Sequence, residues 1–181
     1  WAWGSNGNGE LGNGTNEDQL SPIEIIGENV VDASAGVSNS FAVLEDGSLW
    51  AWGGNTNGQL GNGTTTAQTI PVKIIDSNVV KVEAGSTFGL ALKSDGSLWG
   101  WGNNNGGQLG NGSTESHRVP IKIINSGITD IAAGSVHSMA LKEDGSLWTW
   151  GYNQYGPIGN GTAFHYVPSK VVSPETTFQL V

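Results

Sequence analysis

Four sets of residues have types and spacings that could do chemistry. The first is a tryptophan pair repeated as Trp1/Trp3, Trp50/Trp52, Trp99/Trp101 and Trp148/Trp150, which uses all eight tryptophans. At positions i and i+2 of an extended strand both rings lie on one face, so a pair could form an aromatic platform for a sugar ring. The second is Asn-Gly-Thr or Asn-Gly-Ser, beginning at Asn13, Asn62, Asn111 and Asn160, which fits the N-glycan acceptor pattern. The third is a Gly/Asn-rich loop, Asn6-Gly7-Asn8-Gly9-Glu10 and its copies, with the outline of a calcium loop. The fourth is the set of histidines, His117, His137 and His165.

Each set has a plainer reading that the pattern favours. A core must be rebuilt in every copy of a repeat, whereas a site is rarely repeated identically, so the tryptophans are expected to pack one repeat against the next. Asn and Gly suit left-handed turn positions, so Asn-Gly-Thr is expected to be a turn. The Gly/Asn loops offer amides where a hard cation wants carboxylates. Of the aligned positions Glu10, Gln59, Gln108 and Pro157, only the first is charged, so no metal is expected. The histidines have no ligand spacing and no serine–histidine–aspartate order. With no paired carboxylates and no phosphate loop, the chain is read as a non-enzyme without a cofactor.

The elements that position these residues recur with a strict period of 49 residues, from Trp3 to Trp52, Trp101 and Trp150. A period of this size marks a repeat architecture. The second copy reads as four short strands: small residues at 30–36, apolar residues at 40–44, the tryptophan strand at 49–52, and a β-branched strand at 71–75. Asp46-Gly47, with its copies Asp95-Gly96 and Asp144-Gly145, reads as a hairpin turn of type I′. No stretch has helical periodicity. Four strands per period is the arithmetic of a β-propeller blade. The small residues suit the crowded innermost strand and the β-branched runs the outer one. The expectation is an all-β propeller, with a partial blade at 1–26, blades at 30–75, 79–124 and 128–172, and a tail or further strand at 173–181, about three and a half blades in all.

Composition narrows the function. Sixteen acidic residues against seven basic ones give a formal charge of −9, which opposes phosphate backbones and anionic membrane surfaces. No apolar run approaches the roughly 18 residues of a membrane-spanning helix. The absence of cysteine removes disulfides, a thiol nucleophile and thiolate-held zinc. This composition is compatible with a secreted bacterial protein, and an extracellular or cell-surface location is expected. The start at Trp1, inside a repeat, is read as that of an excerpt or a processed piece.

The motif Trp52-Gly53-Gly54-Asn55-Thr56-Asn57-Gly58-Gln59-Leu60-Gly61-Asn62-Gly63, with Ala133-Gly134-Ser135-Val136-His137-Ser138-Met139-Ala140-Leu141, is similar to the repeat of the regulator of chromosome condensation family. The resemblance extends to about Val172. It implies a seven-bladed propeller, of which this chain would supply half. It does not transfer a nucleotide-exchange activity, because nothing here matches a wedge for nucleotide release. It does not transfer photoreception either, because the Gly-Trp-Arg-His-Thr motif of a photoreceptor in that family is absent. A half-propeller exposes sheet edges and apolar faces, so a longer parent chain or a self-completing homodimer is expected.

Differences between copies are where a specific function would sit. They fall at 16–20, 65–69, 114–118 and 163–166, on connections held by a rigid scaffold. The fourth copy holds Tyr152, Tyr155 and Tyr166, with Phe164 and His165; His117 and Arg118 occupy the third. Tyrosine and arginine are favoured interface anchors. The expectation is a non-catalytic scaffold that binds an unidentified protein through its long-loop face. The alternatives are a structural half-propeller that pairs with itself, and a carbohydrate-binding or enzymatic propeller. Edge-covering aromatics in a terminal repeat would account for the same tyrosines.

Overall fold

The computed structural model describes residues 1–153 and 164–171, of Phe164 only the backbone. These residues form fourteen strands and no helix. β1 (Ala2–Gly4) and β2 (Gln19–Ile23) pair as a two-stranded sheet. Three four-stranded antiparallel sheets follow in sequence order. The first is β3 (Val30–Ala35), β4 (Asn39–Leu44), β5 (Leu49–Gly53) and β6 (Gln68–Ile75). The second is β7 (Val79–Ala84), β8 (Phe88–Lys93), β9 (Leu98–Gly102) and β10 (His117–Ile124). The third is β11 (Ile128–Ala133), β12 (His137–Lys142), β13 (Leu147–Tyr152) and β14 (Phe164–Lys170). Each sheet is a meander in which sequence neighbours pair, the expected blade.

The core lies between sheets. Phe41, Val43, Leu49 and Leu60 of one blade pack against Val79, Val82, Ala91 and Trp101 of the next. Phe88, Leu90, Leu98 and Leu109 meet Ile128, Ile131, Ala140 and Trp150 in the same way. Strands with one face on each neighbouring blade must be apolar on both, which accounts for the near-continuous burial of β4, β5, β8 and β9. The outer strands tolerate Pro22, Pro71, Pro120 and Pro168 because an edge strand can spare a donor.

Two details differ from the sequence reading. The Asp-Gly hairpins form, but only the glycine is left-handed, with φ of 76°, 73° and 76° at Gly47, Gly96 and Gly145. Gly47 N–H donates to the Leu44 carbonyl at 2.8 Å and Leu44 N–H to the Ser48 carbonyl at 2.9 Å. This is a three-residue loop, a type I turn closed by a left-handed glycine, in place of type I′. Asp46 Oδ1 accepts from Ser48 N–H at 2.8 Å and holds the aspartate out of the left-handed region. The outer strands also begin earlier than the β-branched run. The pairing of β5 with β6 shifts between Ala51↔Val72 and Gly53↔Gln68, and this bulge carries the strand back to Gln68. In the first copy the outer strand stops at Ile23, short of the run that reaches Ile26.

Candidate long-loop interface

The first-to-second and third-to-fourth connections of each blade meet at one end. Gly54 N–H donates to the Ser38 carbonyl (2.6 Å), Asn103 N–H to that of Thr87 (2.8 Å), and Tyr152 N–H to that of Val136 (3.0 Å). The long loops at this end are built on a buried asparagine. Asn55 Nδ2 donates to Asn62 Oδ1 (3.1 Å) and to the carbonyls of Thr64 (3.1 Å) and Thr66 (3.0 Å). Its Oδ1 accepts from Leu60 N–H at 3.0 Å. Asn6 and Asn104 do the same in their copies, and all three are fully buried. These amides give their hydrogen-bonding capacity to the loop backbone. No group of three His, Asp or Glu residues among those described could hold a metal.

Asn-Gly-Thr completes the same network. Asn62 Oδ1 accepts from Thr64 N–H (3.1 Å) and Thr64 Oγ1 (2.8 Å) besides Asn55 Nδ2, an Asx-type turn. The loop is then latched to the following blade. Gly14 N–H donates to the Thr69 carbonyl (2.7 Å), Gly63 N–H to that of Arg118 (2.8 Å), and Gly112 N–H to that of Tyr166 (2.8 Å).

The second tryptophan of each complete pair forms the other half of this joint. Trp52 Nε1 donates to the Glu10 carbonyl (2.8 Å), Trp101 Nε1 to that of Gln59 (2.9 Å), and Trp150 Nε1 to that of Gln108 (2.9 Å). Gly12, Gly61 and Gly110 lie flat on those indoles; a Cβ at Gly61 would stand 2.8 Å from Trp101 Cδ1. The first tryptophan sits at the opposite end. Trp50, Trp99 and Trp148 donate Nε1 to Ser48, Ser97 and Ser146 and carry lysine ammonium groups over the ring, the nearest being Lys142 at 3.8 Å from the centroid of Trp148. Only Trp1 and Trp3, 74 % and 61 % exposed, have open faces.

The sequence-derived candidates divide by position. Gln68, His117 and His165 are equivalent, pairing with Gly53, Gly102 and Gly151. The next residues, Thr69, Arg118 and Tyr166, each cover the loop glycine of the preceding blade: Gly9, Gly58 and Gly107. The variable segments thus end as outer-strand residues on the rim, and their side chains alone differ. His117 Nε2 lies 3.1 Å from Asn111 Nδ2, and His165 Nδ1 lies 2.7 Å from Ser169 Oγ. Tyr152 and Tyr166 are brought together by one loop. Tyr152 packs beside Gly106 and Tyr166 against Gly107. Tyr152, with Thr87, Asn103, Asn105, Gly106 and Gln108, lines a cleft of about 330 Å³ between the third and fourth blades. Tyr155 lies outside the described residues, as does the Phe164 side chain.

Sequence reasoning missed the buried asparagine as the organiser of the loop. The signal was its recurrence as Asn6, Asn55, Asn104 and Asn153, always five residues before Leu or Ile. It also missed a charged cluster on the innermost strands. Lys81 Nζ donates to Asp130 Oδ1 at 2.5 Å and lies 3.5 Å from Glu83 Oε1. Burial pushes the Glu83 carboxyl above its ordinary value. His137 sits half-buried beneath Gly134, and burial lowers its pKa. The same place is held by Phe88 in the preceding copy and by Asn39 in the one before. Asn39 is buried with no hydrogen bond to either side-chain polar atom.

The architecture agrees with known structures. Prp20p from Saccharomyces cerevisiae, reported with its binding to Gsp1p and histones, superposes with a TM-score of 0.83 at 24% identity, covering 95% of this chain and 46% of that one. Yeast RCC1 (Prp20) bound to Kap60 gives 0.81 at 25% identity, with 95% and 44% covered. Human WBSCR16 gives 0.79 at 24% identity, with 92% and 46% covered. The chain therefore spans less than half the length of these propellers. No match is found among curated proteins. The family model of the RCC1-like domain matches residues 1–180, and with the blade geometry above it shows that the chain belongs to the RCC1-like domain family.

Proposed function

We propose that the chain is a non-catalytic repeat scaffold that binds a protein partner through its long-loop end, with Tyr152 and Tyr166 as anchors. The observation that carries this reading is the division between fixed and varied groups. The loop backbones are held by buried asparagines and inter-blade latches, while the rim side chains Thr69, Arg118 and Tyr166 change from copy to copy on identical backbone. Tyr152 in the cleft and Tyr166 on the adjacent loop glycine offer rigid amphipathic contact area at low entropic cost. The yeast relative is described with Gsp1p, histones and Kap60, all of them protein partners. A platform for sugars finds less support, because the indoles of the complete pairs are committed to joints or to lysine. The extracellular, bacterial setting belongs to the same proposal and rests on composition alone.

The test is affinity capture with the folded protein against Tyr152→Ala/Tyr166→Ala, with Lys73→Ala on the opposite end as control. Loss of captured protein in the double variant and retention in the control supports the reading. Equal capture by all three refutes it.

One observation favours a second reading, a structural unit completed by another copy. Ala33, Ala42 and Trp52 line a gap of about 310 Å³ beside Trp1, and Trp1 and Trp3 present open faces. Sedimentation equilibrium at tens of micromolar discriminates: a dimer supports assembly, and a monomer removes it.

A further inference from the structure

The Asn-Gly pairs carry a chemistry distinct from glycan attachment. In such a pair the glycine backbone nitrogen can attack the asparagine Cγ. A bond from that nitrogen to Cγ forms as the nitrogen gives up its proton, the Cγ–Nδ2 bond breaks, and ammonia leaves a cyclic imide. Water then opens the ring at either carbonyl, giving aspartate or an isoaspartyl linkage. The reaction needs a glycine N–H that can be released and an asparagine amide free to swing over it.

The fold grades these pairs. At Asn13, Asn62 and Asn111 the following N–H is latched to the next blade at 2.7–2.8 Å, and the amide oxygen accepts several donors. Freeing them requires two blades to part. Asn6 is buried, and its amide is taken up by the loop. Asn8 and Asn57 are exposed, but Gly9 and Gly58 N–H donate to backbone carbonyls of Asn6 and Asn55 at 2.9 Å. Asn8 Nδ2 is also held by Glu10 at 2.8 Å. Asn105 differs from all of them. It is exposed, its amide group makes no hydrogen bond among the described residues, and the Gly106 N–H is held only by a side-chain acceptor, Gln108 Oε1 at 2.9 Å. Local opening is enough to release it.

We propose that, among the Asn-Gly pairs of the described residues, Asn105 is the site of spontaneous deamidation in the folded protein, and that the inter-blade latches protect Asn13, Asn62 and Asn111. Asn105 lines the cleft beside Tyr152. Its conversion places a carboxylate, and in the isoaspartyl form an extra backbone methylene, inside that cleft. The chemistry is independent of whether the cleft binds a partner, because it is read without one.

The test incubates the native protein at mildly alkaline pH, in parallel with the same protein in guanidinium, and follows each asparagine by peptide mapping and isoaspartyl methyltransferase labelling. In the native protein Asn105 is expected to react at least about tenfold faster than Asn62 or Asn111. In guanidinium the three are expected to react within about twofold of one another. Asn105→Gln removes the native-state product, and Gln108→Ala, checked for folding, speeds the reaction at Asn105. The proposal is overturned if Asn62 or Asn111 keeps pace with Asn105 in the native protein, or if Asn105 leads by the same margin when unfolded.

Discussion

Replacing Gly61 by alanine tests the glycine–indole joint between the second and third blades. Gly61 has φ of 73° and lies on the Trp101 indole. A left-handed alanine costs roughly 1–2 kcal/mol on backbone grounds alone. Its Cβ would also stand 2.8 Å from Cδ1 and 3.0 Å from Nε1 of Trp101. The indole cannot retreat. Its Nε1 is tied to the Gln59 carbonyl at 2.9 Å, Gly89 presses on its far edge, and Phe41 meets it edge-on at 5.5 Å. Overpacking of this kind adds about 1–3 kcal/mol, so Gly61→Ala should lose about 2–5 kcal/mol, a large share of the roughly 5–15 kcal/mol that holds a typical domain. Gly63 supplies the control. Its φ is 81°, yet a Cβ there meets only Val119 Cγ1 at 3.8 Å, so Gly63→Ala should lose only the backbone share of roughly 1–2 kcal/mol. Urea unfolding followed by tryptophan fluorescence, at unchanged slope, measures both. If the two variants agree within about 0.5 kcal/mol, a margin expected of independent sites, the indole is not pinned and the argument fails.

Other consequences follow from single residues. Asn55→Leu keeps the branched shape but leaves several loop groups unpaired, and should cost about 2–4 kcal/mol in the same titration; loss of less than about 0.5 kcal/mol would show that the loop does not need its buried amide. The lowered pKa of His137 means the folded state holds its proton more weakly than the unfolded state, so this contribution is complete above the unfolded value near 6.5 and is lost as pH falls toward the folded value. His137→Phe, the residue of the preceding copy, should flatten Tm between neutral and mildly acidic pH; an unchanged slope would assign it to other groups. Asn39→Leu removes a buried amide that has no partner and should stabilise by about 1–3 kcal/mol; destabilisation by a similar amount would mean that the amide is satisfied in solution.

Most of the fold was legible because the repeat states it three or four times. The tryptophan spacing, the Asp-Gly turns and the small-residue strands each recur at the same offsets, so a local signal was read repeatedly. What escaped was set by contacts between copies. The turn type depended on Ser48 holding Asp46, and the early start of β6 depended on a bulge opposite Gly53. Neither appears in local propensity. Asn55 was visible as a repeated residue of the Gly/Asn loop, which was read as a poor cation site and given no structural role. Only its burial and its partners assign it to the loop interior. The candidate site was legible as a list of variable residues and not as an arrangement. His117 and His165 turned out equivalent, and Tyr152 and Tyr166 turned out to lie on adjacent glycines of the preceding blade's loop.

That arrangement explains how one scaffold can keep its joints while changing its face. The latch at each joint takes a backbone carbonyl from the rim residue, whether Thr69, Arg118 or Tyr166, so the latch hydrogen bond is the same whichever side chain stands there. A second loop glycine, Gly9, Gly58 or Gly107, leaves room for the rim side chain. Gly107 is the clearest case, since a Cβ there would run into the Tyr166 ring. Stability is therefore written in positions that repeat, and recognition in positions that the repeat leaves unspecified. The same division explains why the tryptophan pairs, the most conspicuous aromatic residues in the sequence, are poor candidates for the site. In the complete blades their ring faces and Nε1 groups serve the joint at one end and the Ser–Asp turn at the other. Tyr152 and Tyr166 stand instead at the long-loop end, on the glycines Gly106 and Gly107 of the preceding blade, at positions whose side chains change between copies.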